Sequence, residues 1–383
     1  MEHTIITAAD DRLLTYLAQM ARDGASDLFL LAGAPATFKR QGVFTPLAHP
    51  PLSGEEIRTL AYSIMRKEQI TEFVETKECD LSYQMGTVGR FRVNVHLQRG
   101  QVGMVVRHVV SNIPSLEQLG LPPVLKQLAF LKSGLVLTVG AAGSGKTTSL
   151  AAMLNYRNAH TTGHILTIED PIEYLHAHQQ SLVTQREVGL DTQSYDEALR
   201  RAMREAPNVI MIGEIRDRLT MQHALHYAES GHLCVSTLHA SNASQAVQRI
   251  LNFFPETAHR QLLMDLSLNL KAVVAQRLVK SVQGQLVPAL EIMLQTPYVS
   301  ELIQQGKIDE VNTAIVRRDG EGMCTFDQSL YALYEAGTLS AEETLAHADN
   351  RTDVALRMRL ATGAPLGVAG MEVAPPAPGA ARI

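Results

Sequence analysis

Eight residues from Gly140 to Thr147, in the order Gly-Ala-Ala-Gly-Ser-Gly-Lys-Thr, constrain the fold more than any other feature of the chain. They follow an apolar run typical of a strand, 135–139, and precede a helix-forming run, 150–156. Glycines at these positions let backbone N–H groups close around a phosphate group. The order of strand, glycine-rich loop and helix predicts a phosphate-binding loop in an α/β domain.

The residue types in this loop predict a nucleoside triphosphate with Mg²⁺ as its ligand. Lys146 would place a positive charge on the β- and γ-phosphates, and Thr147 would offer its hydroxyl to Mg²⁺. The helix that follows would present its positive N-terminal end to the same anion. The residues predicted to bind the nucleotide here are Gly140, Gly143, Ser144, Gly145, Lys146, Thr147 and Thr148.

The composition excludes several classes of protein. The 383 residues suffice for two domains, and 39 acidic against 34 basic residues give a net charge of −5 with no global basic field for nucleic acid or anionic lipid. No apolar stretch approaches the length of a membrane span, and the N-terminus lacks the features of a signal peptide, so we expect a cytosolic protein with no transmembrane segment. Cys79, Cys234 and Cys324 are isolated, which argues against disulfides and a cysteine zinc site.

Changes in pattern along the chain predict its organisation. Residues 1–112 are predicted to form a smaller α+β domain, and a proline-containing linker, 113–123, leads into short apolar strands alternating with helices over 124–290. That alternation is typical of a doubly wound, largely parallel sheet, with strands at 135–139, 164–168, 209–212 and 233–238. Beyond about residue 260 the chain is predicted to be mostly helical, with a helical extension over 291–361 and a disordered tail over 362–383.

Three of the predicted strands are followed by polar residues suited to phosphate chemistry. Glu169, Asp170 and Glu173 follow the strand at 164–168, whereas Glu214 and His239 follow the next two strands. Because ligands bind at the carboxyl ends of parallel strands, we expect these side chains to meet at the phosphate loop. Which acidic residue would orient water stays open between Glu173, Glu169 and Asp170. His239 fits a core histidine equally well.

The smaller domain contains a predicted hairpin with a basic face. Residues 90–97 alternate strictly, and the turn at 98–100 leads into a second run. The face predicted to be buried carries Phe91, Val93, Val95 and Leu97. Four arginines on this hairpin, Arg90, Arg92, Arg99 and Arg107, are typical of a solvated strand face on pattern alone.

The order of these segments resembles a known family. The phosphate loop, 168–174, 211–217 and 231–239 together are similar to the secretion ATPase superfamily, and specifically to the type IV pilus retraction ATPases represented by PilT and PilU. The resemblance covers most of residues 5–350. In the stretches 91–94, 98–100, 183–188 and 261–270 it is closer to the PilU branch.

This resemblance implies an ATPase that forms a homohexameric ring. Each subunit would pair a small PAS-like domain with a RecA-like domain, and ATP would bind in the cleft between them. Lys146 and Thr147 match the Walker A pair, Glu173 the general base supported by Glu169 and Asp170, Glu214 the Walker B position, and His239 a histidine that senses the nucleotide. Arg92 and Arg107 match arginines that reach toward the nucleotide. Mg²⁺ would bind Thr147, with Glu169, Asp170 or Glu214 acting through water.

The resemblance also implies partners and a place in the cell. The ring would bind an inner-membrane pilus platform from the cytoplasmic side and turn ATP hydrolysis into pilus retraction and twitching motility. The four-cysteine module of the extension motors is missing, which favours retraction. Segment 298–305 differs from the PilT segment tied to retraction, which favours an accessory motor beside a PilT-type paralogue.

Two other functions remain as alternatives. A weakly hydrolysing structural ring partner of PilT would also fit the altered segment 298–305. RecA-like rings also translocate nucleic acids, but the acidic balance and the lack of an aromatic and basic stripe count against nucleic acid as a partner.

Overall fold

The computed structural model describes residues 9–40, 42–109, 112–318 and 320–362. The tail predicted for 362–383 lies outside these residues, apart from Thr362 at the end of the last helix. None of the helices in the described ranges combines the length and apolar character needed to cross a bilayer.

The N-terminal part is an antiparallel sheet with helices against it. Its six strands lie in the order β3-β2-β1-β6-β5-β4. Their bounds are β1 Asp27–Leu30, β2 Thr37–Arg40, β3 Val43–Pro46, β4 Glu78–Met85, β5 Gly89–Gln98 and β6 Gln101–Val109, and the helices are α1 Asp11–Arg22, α2 Gly54–Tyr62 and α3 Lys67–Thr76.

The sequence accounts for most of this first unit. The side chain of Asp10 accepts a hydrogen bond from the N–H group of Arg12 and caps α1, and the capping box predicted at Ser53 opens α2. On β5, the residues Phe91, Val93 and Val95 are buried as predicted. Leu97 is 37% exposed, so its predicted burial is wrong. It lies near the hairpin turn, where the strand passes the edge of the core.

The second part is a seven-stranded sheet in the order β13-β12-β7-β11-β10-β8-β9. All neighbours pair in parallel except β12 and β13, which are antiparallel. The bounds are β7 Gly134–Val139, β8 Gly163–Glu169, β9 Ser181–Glu187, β10 Val209–Ile212, β11 Leu233–Leu238, β12 Leu270–Lys280 and β13 Leu286–Leu294.

Helices cover both faces of this sheet and continue beyond it. They are α4 Val124–Ala129, α5 Lys146–His160, α6 Tyr195–Ala202, α7 Arg218–Glu229, α8 Ala243–Asn252, α9 His259–Asn269, α10 Pro297–Gln304, α11 Val311–Arg317, α12 Phe326–Glu335, α13 Ala341–His347 and α14 Arg351–Thr362, with 3₁₀ turns at Met203–Glu205, Glu256–Ala258 and Ile308–Glu310.

Burial on both faces explains the apolar strands. On β7, Leu135, Leu137 and Val139 enter one hydrophobic cluster and Val136 enters the cluster on the opposite face. A parallel strand covered on both sides therefore carries a continuous apolar run and no alternation. The four predicted strands of this sheet are confirmed.

The prediction of a mostly helical chain beyond residue 260 is wrong for 270–294. This stretch forms β12 and β13, which complete one edge of the sheet. The residues of β12 from Ala272 to Gln276 are buried. A fully buried strand shows no period of two, so its apolar run could not be told from a buried helix.

Candidate functional site

The parallel register brings four strand ends to one edge of the large sheet. Val139 of β7 pairs with Leu238 of β11, and Ile212 of β10 pairs with Ile168 of β8. The residues that follow these strands therefore emerge side by side. We call this edge, with the loops after β7, β8, β10 and β11, the carboxyl edge; it holds the phosphate loop (140–147), the acidic box (169–173), Glu214 and His239.

The glycines of the phosphate loop are required by its backbone. Gly140, Gly143 and Gly145 have φ angles of +154°, +76° and +83°. A Cβ atom at Gly140 would lie 2.4 Å from the Ser144 Oγ atom and 2.5 Å from the carbonyl oxygen of Gln276. A Cβ atom at Gly145 would lie 2.7 Å from the Gln276 side-chain nitrogen. A Cβ atom at Gly143 would have no atom within 4 Å, so Gly143 is required only for its backbone conformation.

Lys146 begins helix α5 and points into the loop. Its Nζ atom donates hydrogen bonds to the carbonyl oxygens of Gly140, at 2.9 Å, and Ala141, at 2.8 Å. The residue is buried, and burial lowers the pKa of its ammonium group, while the negative charge of Glu214 acts in the opposite direction. The interaction with Glu214 places the lysine in the electric field of the carboxylate that follows β10.

The loop fits a bound phosphate. The Ser144 hydroxyl is buried and has no hydrogen-bond partner among the described residues. A buried hydroxyl without a partner is costly, and a phosphate oxygen would satisfy it. Together with the close space at Gly140 and the helix N-terminus at Lys146, this makes the loop a suitable cradle for an anion.

The acidic box contains two carboxylates in different environments. Glu169 is buried and accepts hydrogen bonds from the Thr167 hydroxyl at 2.7 Å and the Gln185 amide at 3.2 Å. Burial raises the pKa of Glu169. The Glu173 side chain is 48% exposed, and its Oε1 atom lies 3.0 Å from an Arg92 nitrogen. Water therefore reaches Glu173 far more easily than Glu169.

Glu214 links the ends of three strands. Its Oε1 atom lies 3.2 Å from His239 Nε2, and its Oε2 atom accepts a hydrogen bond from Arg216 Nε at 2.9 Å. Arg216 in turn lies 3.7 Å from Asp170 of the acidic box. The loops after β8, β10 and β11 are therefore joined by a continuous chain of contacts between polar side chains.

Two predicted arginines of the smaller domain face this edge from β5 and β6. Arg92 and Arg107 are cross-strand partners, so their side chains lie on the same face. Both line a cavity of about 110 Å³ with Glu173 and Tyr174. Arg92 contacts Glu173, whereas Arg107 is 62% exposed and bound through Nε to the buried Asp27 at 2.8 Å. We call β5 and β6 the arginine hairpin.

The structure thus brings together most of the predicted site residues. Glu169, Glu214 and His239 lie at the carboxyl edge with the loop that carries Lys146, Thr147 and Thr148. Glu173 lies at the junction with the arginine hairpin, since its side chain pairs with Arg92. Asp170 is exposed and contacts Arg216 rather than the loop.

Sequence reasoning missed several contacts in this region. The Tyr174 hydroxyl lies 2.8 Å from the Thr148 hydroxyl and ties the acidic box to helix α5. Gln276 of β12 accepts a buried hydrogen bond from Ser149 at 2.7 Å. Tyr174 directly follows the acidic box, which was a usable signal, but nothing near Gln276 in the sequence points to the loop.

Metal binding by protein side chains alone is not a feature of this site. Among the described residues, no group of three or more His, Cys, Asp or Glu side chains could hold a metal ion. Mg²⁺ in nucleotide sites is held by one or two protein oxygens, phosphate oxygens and water. Thr147, in the first turn of α5, is suitably placed to be one of them.

Comparisons with known proteins agree with this geometry. A family model described as Type II/IV secretion system protein matches residues 11–331, so the chain belongs to this family. The chain is 51% identical to the type IV pilus ATPase PilU of Pseudomonas aeruginosa over 345 residues, which are 90% of each chain. It is 41% identical to the type IV pilus retraction ATPase PilT of the same organism, over 85% of this chain and 95% of PilT.

A solved structure confirms the fold. The crystal structure of the pilus retraction motor PilT with bound ADP matches with a TM-score of 0.82 and 37% identity, over 92% of this chain and 99% of PilT. The predicted RecA-like ATPase fold, preceded by a smaller α+β PAS-like domain and followed by helices, is therefore confirmed. The chain is a P-loop ATPase of the type IV pilus retraction family.

Proposed function

We propose that this chain is a Mg²⁺-dependent, ATP-hydrolysing motor that assists a PilT-type motor in type IV pilus retraction and twitching motility. The proposal rests on one observation above all, the meeting of the phosphate loop, acidic box, Glu214 and His239 at one sheet edge. The names of the relatives, PilU and PilT, support the biological role. The motor would act as a homohexamer at the cytoplasmic face of the inner membrane, on the pilus platform.

The phosphate loop would bind the β- and γ-phosphates. The backbone N–H groups of the loop, the Ser144 hydroxyl and Lys146 would each contact phosphate oxygens. Lys146 would exchange its two neutral carbonyl partners for phosphate oxygens, with which its ammonium group would form an ion pair as well as hydrogen bonds. Bound Mg²⁺ would add positive charge against the same oxygens, held by Thr147 and, through water, by Glu169, Asp170 or Glu214.

Glu173 is the proposed general base. A base must reach the attacking water, and the half-exposed carboxylate of Glu173 meets this condition better than the buried Glu169. Glu169 is hydrogen-bonded on both sides of its carboxyl group, and Oε2 faces the N–H group of Glu173 at 3.5 Å. We assign Glu169 the task of shaping the acidic box and Glu173 that of orienting water.

The remaining charged groups would respond to the γ-phosphate. Arg92 and Arg107 would stabilise negative charge on the transferring phosphoryl group from the side of the smaller domain. His239 would sense the nucleotide through Glu214, since the two side chains are in direct contact. Stronger binding of ATP than of ADP by the closed arrangement of the two domains would turn hydrolysis into movement.

Substitution of the loop lysine tests the catalytic proposal. Lys146→Ala removes the only side-chain cation that starts within the loop, and we expect ATP turnover to fall by at least about 100-fold. Far-ultraviolet circular dichroism and the thermal midpoint should stay close to those of the wild type. Turnover that is unchanged in a folded Lys146→Ala protein would refute the assignment of this site.

A mixing experiment tests the accessory role. Segment 298–305 covers most of helix α10 and the residue after it, with Val299, Leu302 and Ile303 buried, so the segment that differs from PilT forms an intact helix here. ATP hydrolysis would be measured for this protein alone, for PilT and for the mixture. ATP hydrolysis by this protein alone supports an accessory motor. If this protein alone hydrolyses no ATP, but the mixture hydrolyses more than PilT does alone, the result supports the structural ring partner.

A further inference from the structure

The carboxylate of Glu187 joins three segments that are distant in sequence. It ends β9, and only 6% of its side chain is exposed. Its Oε1 atom accepts a hydrogen bond from the Ser82 hydroxyl of β4, and its Oε2 atom accepts one from Arg90 of β5 at 2.8 Å and one from the N–H group of Ile172 at 3.1 Å. Two of these donors belong to the smaller domain and the third belongs to the acidic box.

The charges at this junction require each other. A buried carboxylate is stable only when it is paired and hydrogen-bonded, and the guanidinium of Arg90, 12% exposed, is the counter-ion. Within the described ranges the Arg90 Nε atom is buried with no hydrogen-bond partner. Loss of Glu187 would therefore leave a nearly buried cation without its partner. This pairing therefore stabilises the arrangement of the smaller domain and the acidic box that the structure shows.

The junction lies beside the contact between Arg92 and Glu173. Arg90 and Arg92 are two residues apart on β5 and lie on the same face. Ile172 immediately precedes Glu173. Glu187 thus holds the strand that carries the arginine and the loop that carries the proposed base, each within two residues of the contact between them.

We infer that Glu187 is a positioning residue, which sets the distance between the proposed base Glu173 and Arg92 by fixing the arginine hairpin to the acidic box. This inference rests on the proposed function. It assigns Glu187 no contact with substrate. A shift of about 1 Å in a catalytic contact can cost about 100-fold in rate, so a residue of this kind affects turnover strongly.

Glu187→Gln tests the inference by keeping the shape of the side chain and removing its charge. We expect kcat to fall about 10- to 100-fold, with KM for ATP within about threefold of the wild type, because the phosphate loop is untouched. The matched control is Glu205→Gln. It breaks the ion pair between Glu205 and Arg186, at 2.9 Å, next to Glu187 on β9 but away from the smaller domain.

A milder variant covers the case in which Glu187→Gln folds poorly. Ser82→Ala removes one neutral donor from the junction and leaves the ion pair with Arg90 in place. We expect kcat to fall about 3- to 10-fold, with the thermal midpoint lowered by only a few degrees. A merely structural role would lower the thermal midpoint and leave kcat of the folded protein unchanged.

Combination with Arg92→Gln gives the most specific result. If Glu187 acts by placing Glu173 against Arg92, the two substitutions disrupt the same contact. We then expect kcat of the double variant to lie within about twofold of kcat of the slower single variant. Multiplication of the two separate effects would overturn the inference, as would equal kcat values for Glu187→Gln and Glu205→Gln. Absence of ATP turnover in the wild type would instead overturn the proposed function, and this inference with it.

Discussion

The two halves of the candidate site are held in place by different kinds of interaction. At the carboxyl edge, backbone hydrogen bonds of parallel strands set where the phosphate loop, acidic box and Glu214 emerge. At the arginine hairpin, the side chains are held by ion pairs to Asp27, Glu173 and Glu187. A backbone ladder tolerates few changes, whereas an ion pair can exchange partners. The first half is therefore the more rigid of the two, and the second half contains the contacts that are easier to rearrange.

The three arginines on the two strands of the hairpin also differ among themselves. Arg90 is 12% exposed and pairs with a buried acid, and Arg107 is bound to the buried Asp27. Arg92 is 34% exposed and pairs with the half-exposed Glu173. An ion pair in water contributes only about 0–1 kcal/mol, so the contact of Arg92 is the easiest to break. Arg92 is therefore the arginine best suited to move to a phosphate.

The largest effect is expected from a glycine pair in the rigid half. Gly140→Ala would force a Cβ atom against the Gln276 carbonyl oxygen, at 2.5 Å, whereas Gly143→Ala meets no atom within 4 Å. We expect Gly140→Ala to lower ATP turnover at least about 100-fold and the thermal midpoint as well. Gly143→Ala carries only the left-handed backbone cost of about 1–2 kcal/mol. Equal turnover in the two variants would contradict a rigid loop.

A smaller effect, confined to the rate, is expected from the responsive half. Arg92→Gln should lower kcat about 10- to 100-fold by removing a charge from the transition state. The free energy of unfolding should change by less than about 1 kcal/mol, because the pair with Glu173 is exposed. Arg58→Gln breaks a surface pair with Glu55, at 2.9 Å on α2, and is the control. Steady-state kinetics and thermal melts of both variants test the difference.

A third prediction uses the raised pKa of Glu169. Its folded pKa lies above the unfolded value of 4.5, so folding is penalised above the folded pKa and the penalty disappears below pH 4.5. Glu169→Gln should therefore raise the thermal midpoint at pH 8, by about 2–4 °C for each kcal/mol of this burial penalty that is removed. Near pH 4 it should leave the thermal midpoint unchanged. A shift of equal size at both pH values would contradict this account.

The control for this variant is a second buried acid outside the site. Burial also raises the pKa of Glu291, whose carboxylate accepts a hydrogen bond from the N–H group of Ala243 at 2.9 Å. Glu291→Gln should show the same direction of pH-dependent stabilisation. Only Glu169→Gln should also lower ATP turnover, because only Glu169 shapes the acidic box.

The smallest effect is expected at the link between the acidic box and helix α5. Tyr174→Phe removes one hydroxyl that lies 2.8 Å from Thr148. A single neutral hydrogen bond contributes about 0.5–1.5 kcal/mol, so we expect a two- to tenfold fall in kcat and no change in KM. Tyr83→Phe, on β4, supplies the matched control. A rise in KM alone would show that the link acts on nucleotide binding.

How far the sequence could predict the site follows from the range of each interaction. The phosphate loop, the acidic box and the strand ends are local motifs, and the rule for parallel sheets brings them together. The partners of the arginines could not be predicted in the same way. Glu187 and Arg90 are 97 residues apart, and Ser149 and Gln276 are 127 apart, with no local pattern that pairs them.

Local patterns also determined which parts of the fold could be predicted. Strands with a clear apolar run and turns on both sides were predicted within a residue or two. β12 and β13 were missed because a buried strand has no period of two and no motif marks it. These two strands matter for the site, since Gln276 of β12 lies against both Gly140 and Gly145.

Gln276 gives the C-terminal helices a mechanical connection to the nucleotide loop. The strand that carries it pairs with β13, and β13 is bonded to the segment after it through Leu290 and Ser329 and through Ile292 and Cys324. A protein bound to the outer face of α12 would therefore act on the antiparallel pair of β12 and β13, and Gln276 of β12 contacts Gly140 and Gly145 of the phosphate loop. Force applied at α12 would be transmitted to the phosphate loop through paired strands rather than through a flexible loop.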